Sequence, residues 1–326
     1  MTCEKLFHSA RSAAFGLVLV AGSAGTVLAE YPEKPVQLFV GFSAGGGTDV
    51  IARGFANHVG EVAAMNGMPM VVVNRPGGSG LIAAKLVRDA APDGYTLTII
   101  NSGTFSAADM GSPNAPVNPR EDFTSIGCMS QLITSLVVQK SSPYETAASW
   151  VEAMKTGGKT VRWATSGAAT MNAAIGHLFL DSLGLKHQTV PFKGGSGARN
   201  ALVAGKVDAA FIPANLVKGF EKDLKTIGVP TAKRDPANKH VPTFAEQGLP
   251  ALDIAGSMCI WGPKNMPGDV VETLAGAVKS VTEMQDFEAF MGQSGLAAIY
   301  LGPDESLAKL NSLYDVLGPV IRNIKG

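Results

Sequence analysis

Two short, polar, glycine-rich segments of this sequence have residue types and spacing suited to binding an anion. The first loop, residues 43–49 (SAGGGTD), follows a strand-like run at 36–40 and precedes a helical pattern marked by Ile51, Phe55, Val59 and Val62. Such a turn directs free backbone N–H groups and the positive end of a helix dipole towards a carboxylate or a phosphate. Taken alone, the loop is equally compatible with a tight turn that binds nothing.

The second loop, residues 165–170 (TSGAAT), repeats this arrangement in the other half of the chain. It follows the strand-like run 161–164 and precedes a helix face marked by Met171, Ile175, Leu178 and Phe179. Further polar or glycine-rich loops occur at 74–80, 101–104 and 190–197. Alternating strands and helices predict α/β layers with a largely parallel sheet, in which ligands gather at the carboxyl ends of strands.

Three segments resemble enzyme motifs, but each lacks a required feature of its motif. Residues 157–160 (GGKT) resemble the end of a phosphate-binding loop, but they follow a helix and precede a strand, the reverse of the required order. Residues 194–198 approach a nucleophile elbow but end in Ala198, and residues 45–50 lack the third glycine of a dinucleotide fingerprint. We therefore expect no catalytic residue and no cofactor.

The spacing of the titratable residues predicts neither a metal site nor an acid–base pair. The histidines that follow residue 29 are scattered without ligand spacing, which predicts surface or helix-packing roles: His58, His177, His187 and His240. Asp49, at the start of a helix, is interpreted as a cap or dipole partner rather than a catalytic base. The prediction is binding without turnover.

The first 29 residues have the pattern of a secretory signal peptide. Lys5 and Arg11 precede the apolar segment 13–20, and residues 27–29 (VLA) offer small side chains for cleavage. Removing Lys5, Arg11 and Glu4 reduces 27 basic and 27 acidic residues to 25 and 26, a net charge of −1. This balance provides no electrostatic basis for binding nucleic acid or an acidic membrane.

The composition, 46% hydrophobic and 17% charged over 326 residues, is that of a packed globular protein long enough for two domains. Cys3 would leave with the signal peptide. Cys128 and Cys259 both lie in apolar, strand-like sequence, where free buried thiols are the more common state, although an oxidising compartment would permit a disulfide. The apolar segment 125–139 suits a pair of strands that passes between domains.

Five motifs in order resemble the substrate-binding proteins of tripartite tricarboxylate transporters, also called the Bug family. They are residues 45–49 (GGGTD), 74–78 (NRPGG), 92–97 (PDGYTL), 190–194 (VPFKG) and 242–248 (PTFAEQG). The resemblance implies a monomeric, two-domain periplasmic binding protein of the Venus flytrap, type II-like class, with the ligand cleft between its domains. Domain 1 would comprise residues 30–127 and 256–326, and domain 2 residues 128–255. The protein would capture a small carboxylate and deliver it to the membrane subunits of the transporter.

The resemblance also implies which residues contact the ligand. In that family the first loop holds a carboxylate through backbone amides and ordered waters, and a facing loop holds the other end of the ligand. The implied residues are Phe42, Ser43, Ala44, Gly46, Gly47, Thr48, Asn101, Ser102, Thr104, Thr165, Ser166, Ala168, Ala169, Thr170, Phe192 and Asn215. Each hydroxyl could instead be an ordinary helix cap, and for Thr170 the two interpretations are equally favoured.

Two departures from the family pattern bear on the ligand. The first loop begins Phe42-Ser43-Ala44 where many members are rich in proline, which is expected to alter its rigidity. Residues 212–214 (IPA) stand where amino-acid-binding members tend to have an aspartate, so a ligand ammonium group would lack its partner. We therefore expect an aliphatic di- or tricarboxylate or an aromatic acid, with ring contacts from Phe42 and Phe192.

Two alternatives remain open from the sequence. A ligand sensor that passes its closed state to a signalling partner would have the same binding features. An α/β hydrolase or transferase is disfavoured by the missing nucleophile and metal spacing.

Overall fold

The computed structural model describes residues 31–111 and 114–324, so the predicted signal peptide lies outside the described residues. Within these ranges, no helix is both long enough and apolar enough to cross a membrane. The strands are β1 Val36–Val40, β2 Met70–Asn74, β3 Thr96–Asn101, β4 Phe123–Leu132, β5 Thr134–Gln139, β6 Val161–Thr165, β7 His187–Pro191, β8 Ala209–Pro213, β9 Leu224–Gly228, β10 Gly256–Pro263 and β11 Ala297–Leu301. The helices are α1 Gly47–Val59, α2 Leu81–Arg88, α3 Ser102–Gly111, α4 Ala147–Gly157, α5 Met171–Ser182, α6 Gly195–Val203, α7 Gly268–Thr282, α8 Gln285–Gln293 and α9 Pro303–Ile324.

The described strands form two sheets. The first sheet has the order β11-β4-β10-β3-β1-β2, and the second has the order β7-β6-β8-β5-β9. The strands that carry the two loops, β1 and β6, pair in parallel with both neighbours. The remaining pairings are antiparallel. Parallel pairing therefore covers only part of each sheet. The strands β5 and β10, which enter from the other sheet without a crossover helix, run antiparallel to both of their neighbours.

The chain crosses from the first sheet to the second at Ile133, which separates β4 from β5. The boundary predicted between residues 127 and 128 therefore falls inside β4. The chain returns to the first sheet with β10, whose first residue, Gly256, begins the second predicted segment of domain 1.

Each sheet has its own hydrophobic core. Large, fully buried side chains of the first core include Leu38, Phe55, Phe105 and Trp261, and those of the second include Trp150, Trp163, Phe179, Phe211 and Phe244. Helix α9 contributes to both cores, with Leu310 in the first and Leu313, Leu317 and Ile321 in the second.

Helix α1 buries the side chains that predicted it, Ile51, Phe55 and Val59. It ends before Val62, which lies beyond the Gly60 cap although its side chain is buried. Burying one face of α1 against the first sheet fixes the position of the first loop at its N-terminus.

Cys128 and Cys259 form a disulfide with an S–S distance of 1.95 Å. The expectation of free thiols was wrong because the two residues are directly paired on the neighbouring antiparallel strands β4 and β10. That register joins positions separated by 131 residues in sequence, which no local pattern reveals.

Removing this disulfide by the double substitution Cys128→Ala and Cys259→Ala is expected to lower the free energy of unfolding by about 2–5 kcal/mol, because the bond closes a long loop in the unfolded chain. Urea denaturation followed by tryptophan fluorescence measures the change. Reductant should destabilise the wild-type protein and leave the double variant unaffected. Equal urea midpoints for both proteins without reductant would contradict a stabilising role.

Candidate ligand-binding site

The first loop leaves backbone N–H groups free at the start of α1. Gly46 caps this helix without a side chain, and no described residue accepts a hydrogen bond from the N–H groups of Gly47 and Thr48. These donors lie at the positive end of the helix dipole. They can therefore accommodate a negatively charged group without a cationic side chain.

A hydrogen-bonded network around Asp49 holds the first loop in place. Asp49 is 3% exposed, and its Oδ2 accepts from the Gly45 N–H at 2.9 Å and from Arg53 Nε at 3.0 Å. Asn74 Nδ2 donates to Asp49 Oδ1 at 2.8 Å and to the Phe42 carbonyl at 3.0 Å. Asp49 and Asn74 together therefore hold the loop against the end of β2, and Asp49 is not available as a catalytic base.

Replacing Asp49 with asparagine is expected to destabilise the protein by about 2 kcal/mol at neutral pH, because hydrogen bonds to a charged group are lost. Burial raises the pKa of Asp49, but the hydrogen bonds from Arg53, Gly45 and Asn74 outweigh burial, and the net pKa lies below the ordinary value of 3.8. Since the folded-state pKa is depressed, this stability is complete above about pH 4 and is lost as the pH falls through the lower folded value.

Urea unfolding at pH 7 and at pH 3 measures this effect. The gap between the wild-type protein and Asp49→Asn should be wide at pH 7 and narrower at pH 3. Equal stability of the two proteins at pH 7 would show that the network does not hold the loop.

The second loop joins β6 to α5, and most of its polar groups are already hydrogen-bonded. Thr170 Oγ1 accepts from the Ala173 N–H at 3.2 Å and donates to the Gly167 carbonyl at 3.0 Å, so this hydroxyl is a helix cap. Ser166 Oγ accepts from Asn172 Nδ2 at 2.7 Å. Thr165 Oγ1 is buried without a hydrogen-bond partner among the described residues.

Hydrogen bonds connect the two halves of the site directly. On one side, the Ser43 N–H donates to the Lys193 carbonyl at 3.1 Å. On the other, the Ala169 N–H donates to Ser79 Oγ at 3.1 Å, and the Met171 N–H donates to Thr104 Oγ1 at 3.3 Å. The structure therefore shows the loops of the two sheets in a closed arrangement.

Two adjoining cavities lie between these loops. A narrow cavity of about 20 Å³ shares Phe42 and Ser166 as walls with a wider cavity of about 410 Å³. The narrow cavity has room for a group about the size of one water molecule, whereas the wider one has the size of a small-molecule site. The narrow cavity is lined by Phe42, Gly46, Gly47, Thr48, Asn101, Thr104, Leu132, Ser166, Asn172, Gly195 and Pro213. The wider cavity is lined by Gly41, Phe42, Gly77, Gly78, Ser79, Ser166, Gly167, Ala168, Pro191, Phe192 and Lys193.

Most of the sequence-predicted site residues lie at these cavities, and the others lie around them. Ser43 and Ala44 do not line either cavity but form hydrogen bonds to the opposing half. Ser102 Oγ accepts a hydrogen bond from the Ser257 N–H at 3.0 Å. The Ala169 N–H donates to Ser79 Oγ. Asn215 is buried beside Gly47, and Thr165 is buried at the end of β6.

Several cavity residues were not predicted from the sequence. The glycine loops at 74–80 and 190–197 were recognised as loops, but Gly77, Ser79 and Lys193 were not assigned to the site. Leu132 and Pro213 carry no local signal, since each lies at the end of a strand and reaches the cavity only through the tertiary fold.

The narrow cavity is uncharged but contains polar atoms in need of partners. None of the residues that line it carries an ionised side chain. Asn101 Nδ2 belongs to a lining residue, and Asn215 Oδ1 lies 3.2 Å from where a Cβ of Gly47 would be; both atoms are buried without a described hydrogen-bond partner. Since buried polar groups are normally hydrogen-bonded, these atoms indicate a polar occupant.

The description of the histidines as scattered was wrong for two of them. His177, Asp181 and His187 present ligating atoms that all lie within 4.8 Å of one another, away from both cavities. The spacing H-x3-D on a helix, followed by a histidine at the next strand, was the available sequence signal.

Two mixed α/β sheets whose loops close on a shared pair of cavities define a two-domain, Venus-flytrap-like solute-binding protein. A family model described as the tripartite tricarboxylate transporter family receptor matches residues 51–324, and the chain belongs to this family. The resemblance noted from the five motifs is thereby confirmed. The protein is a periplasmic solute-binding protein and not an enzyme.

Individual proteins that are similar to this chain support the same family assignment. The chain is 31% identical over 259 residues to a UPF0065 protein from the TAR-I ttuE-ttuC' intergenic region of Agrobacterium vitis, covering 77% of this chain and 72% of that protein. It is also similar to MatC from Rhodopseudomonas palustris, solved with bound malate, with 25% identity, a TM-score of 0.82 and coverage of 89% and 100%. A second R. palustris protein, solved with adipate, has 25% identity, a TM-score of 0.81 and coverage of 88% and 98%.

Proposed function

We propose that this protein captures a small carboxylate by closing two lobes around it and delivers the ligand to the membrane subunits of a tripartite tricarboxylate transporter. The observation that carries the proposal is the narrow cavity, whose wall combines residues with free N–H groups at the start of α1 and Asn101, whose buried Nδ2 lacks a partner. One carboxylate would be held there through backbone donors, directly or through water. The body of the ligand would occupy the wider cavity.

The two lobes correspond to the two sheets with their helices. We place the crossings between the lobes at Ile133 and at Gly256. The hydrogen bonds from Ser43 to Lys193 and from Ala169 to Ser79 would form on closure. They are bonds between loops, so opening would break them without disturbing either core.

The ligand class follows from the lining residues. No aspartate or glutamate lines either cavity, so an amino-acid ligand would have no carboxylate for its ammonium group. Phe42 and Phe192 supply ring surface in the wider cavity, and Lys193 supplies a cation there. An aliphatic dicarboxylate or an aromatic acid satisfies these contacts, and the malate and adipate in the similar structures belong to the first class.

A thermal-shift screen of the mature protein, residues 30–326, against carboxylic acids tests the binding function. At least one non-amino acid should raise the melting temperature in a concentration-dependent way, since a ligand that binds only the folded state stabilises it. A response confined to aspartate or glutamate would contradict the proposed ligand class. Consumption of the ligand during the assay would contradict a binding function.

Delivery is tested separately by uptake of the labelled ligand into cells. Loss of uptake on deleting either this protein or the transporter membrane subunits supports delivery. Unchanged uptake in both deletions, together with a ligand-dependent change in gene expression, would favour the sensor function.

A further inference from the structure

A second cluster of ligating side chains lies on the second sheet, away from the cleft. His177 and Asp181 are four residues apart on one face of α5, and His187 is the first residue of β7, an edge strand. One ligating atom from each residue lies within 4.8 Å of the others. None of the three residues lines either of the two cavities.

We propose that His177, Asp181 and His187 bind a divalent transition-metal ion of the zinc class. Two imidazole nitrogens and one carboxylate oxygen are ligands that Zn²⁺, Ni²⁺ and Cu²⁺ prefer, whereas Ca²⁺ and Mg²⁺ require mostly oxygen ligands. Three protein ligands leave the fourth tetrahedral position of zinc for water. The bound ion would connect the C-terminal half of α5 to the edge of the second sheet.

The surroundings of His177 suit a ligand. Its Nε2 lies 3.0 Å from Thr189 Oγ1, and this hydroxyl can accept a hydrogen bond from a protonated Nε2. The Nδ1 atom then keeps its lone pair for the metal. A hydrogen-bond acceptor on the second ring nitrogen is the usual support for a metal-binding histidine.

Burial differs across the cluster and leaves a route to solvent. The side chain of His187 is 11% exposed, whereas that of Asp181 is 63% exposed. An ion would therefore enter at Asp181 and reach the two imidazole rings, whose centroids lie 5.1 Å apart.

His187 provides a signal that reports loading. In the structure, Trp163 Nε1 donates to His187 Nδ1 at 3.2 Å, and His187 Nε2 lies 2.8 Å from Asp181 Oδ1. Because indole nitrogen is only a donor, His187 carries its proton on Nε2, which donates it to Asp181. Coordination through Nε2 moves this proton to Nδ1, where it would face the Trp163 N–H. Loading must therefore break the Trp163 hydrogen bond and alter the environment of a fully buried indole.

Calorimetric titration of tag-free, EDTA-treated protein with ZnCl₂, with tryptophan fluorescence recorded in parallel, tests the proposal. The wild-type protein should bind one Zn²⁺ with a change in fluorescence. His177→Ala and Asp181→Asn should each weaken binding about tenfold or more. His240→Ala, which removes a histidine outside the cluster, should bind like the wild type. Trp163→Phe should lose most of the fluorescence change.

Asp181→Asn keeps the test decisive, because an exposed and isosteric substitution is expected to leave the fold unchanged by circular dichroism. Wild-type protein without saturable one-to-one Zn²⁺ binding would overturn the proposal. Zn²⁺ affinity unchanged in both His177→Ala and Asp181→Asn would also overturn it. Carboxylate binding in EDTA reports the cleft separately, so failure of one site is distinguishable from failure of the other.

Discussion

Replacing Gly47 with valine is expected to lower carboxylate affinity by about 100-fold, equivalent to about 3 kcal/mol, while leaving the protein folded. A Cβ atom at this position would lie 3.2 Å from both Asn215 Oδ1 and Leu132 Cδ1. The two further carbons of valine would fill the narrow cavity or prevent the loops from closing. Isothermal titration calorimetry with the carboxylate found by thermal shift measures the loss.

Gly268→Val is the matched control for this substitution. Gly268 is the first residue of α7, as Gly47 is of α1, but a Cβ atom there meets nothing within 4 Å. The control should bind the carboxylate like the wild type. Wild-type affinity in Gly47→Val would place the ligand somewhere other than the narrow cavity.

The second large effect is expected from Asn101→Asp, an isosteric change that should also weaken carboxylate binding about 100-fold. Asn101 Oδ1 accepts from the Thr104 N–H at 3.1 Å, which fixes the side chain with its unpartnered Nδ2 in the wall of the narrow cavity. Aspartate keeps the first interaction but replaces the donor with a negatively charged oxygen. Like charges in contact at a desolvated site cost several kcal/mol.

Asn118→Asp provides the control, because Asn118 Oδ1 likewise accepts a backbone N–H, from Arg120 at 3.1 Å, but lies outside both cavities. Calorimetry should show wild-type affinity for this variant. Equal affinities for Asn101→Asp and Asn118→Asp would exclude Asn101 Nδ2 as a ligand donor.

The two loops could be predicted from sequence because their signals are local. Glycines at 45–47 after a strand-like run, followed by Ile51, Phe55 and Val59, specify a turn that opens a helix, and the structure has this arrangement. The same pattern, a strand-like run followed by a polar loop and a helix face, predicted the second loop before α5. A local pattern was enough to predict where backbone donors would be free.

Features that depend on long-range register could not be predicted in this way. The Cys128–Cys259 disulfide depends on the pairing of β4 with β10, and the position of Leu132 in the cavity wall depends on where β4 leaves its sheet. The clustering of His177 with His187 requires α5 to pack beside β7. Each of these depends on tertiary packing, which overrides what a short window of sequence indicates.

The sequence could not show whether each hydroxyl group of the site binds the ligand or the backbone. Thr170 and Ser102 are typical of a polar binding loop, yet the first caps α5 and the second holds the Ser257 N–H. Ser, Thr and Asn side chains serve backbone and ligand equally well, so residue type alone does not separate the two roles. Only the hydrogen-bond partners of each side chain in the structure distinguish the two roles.

The central claim is that a carboxylate group is recognised by uncharged donors at the start of α1. Calorimetric titration of the wild-type protein with malate, adipate and aromatic acids, each compared with its methyl ester, tests this claim most directly. We predict one-to-one binding of at least one acid with a dissociation constant of about 10 µM or tighter, and no measurable binding of the corresponding ester. Failure of every carboxylate to bind, or equal binding of an acid and its ester, would contradict the claim.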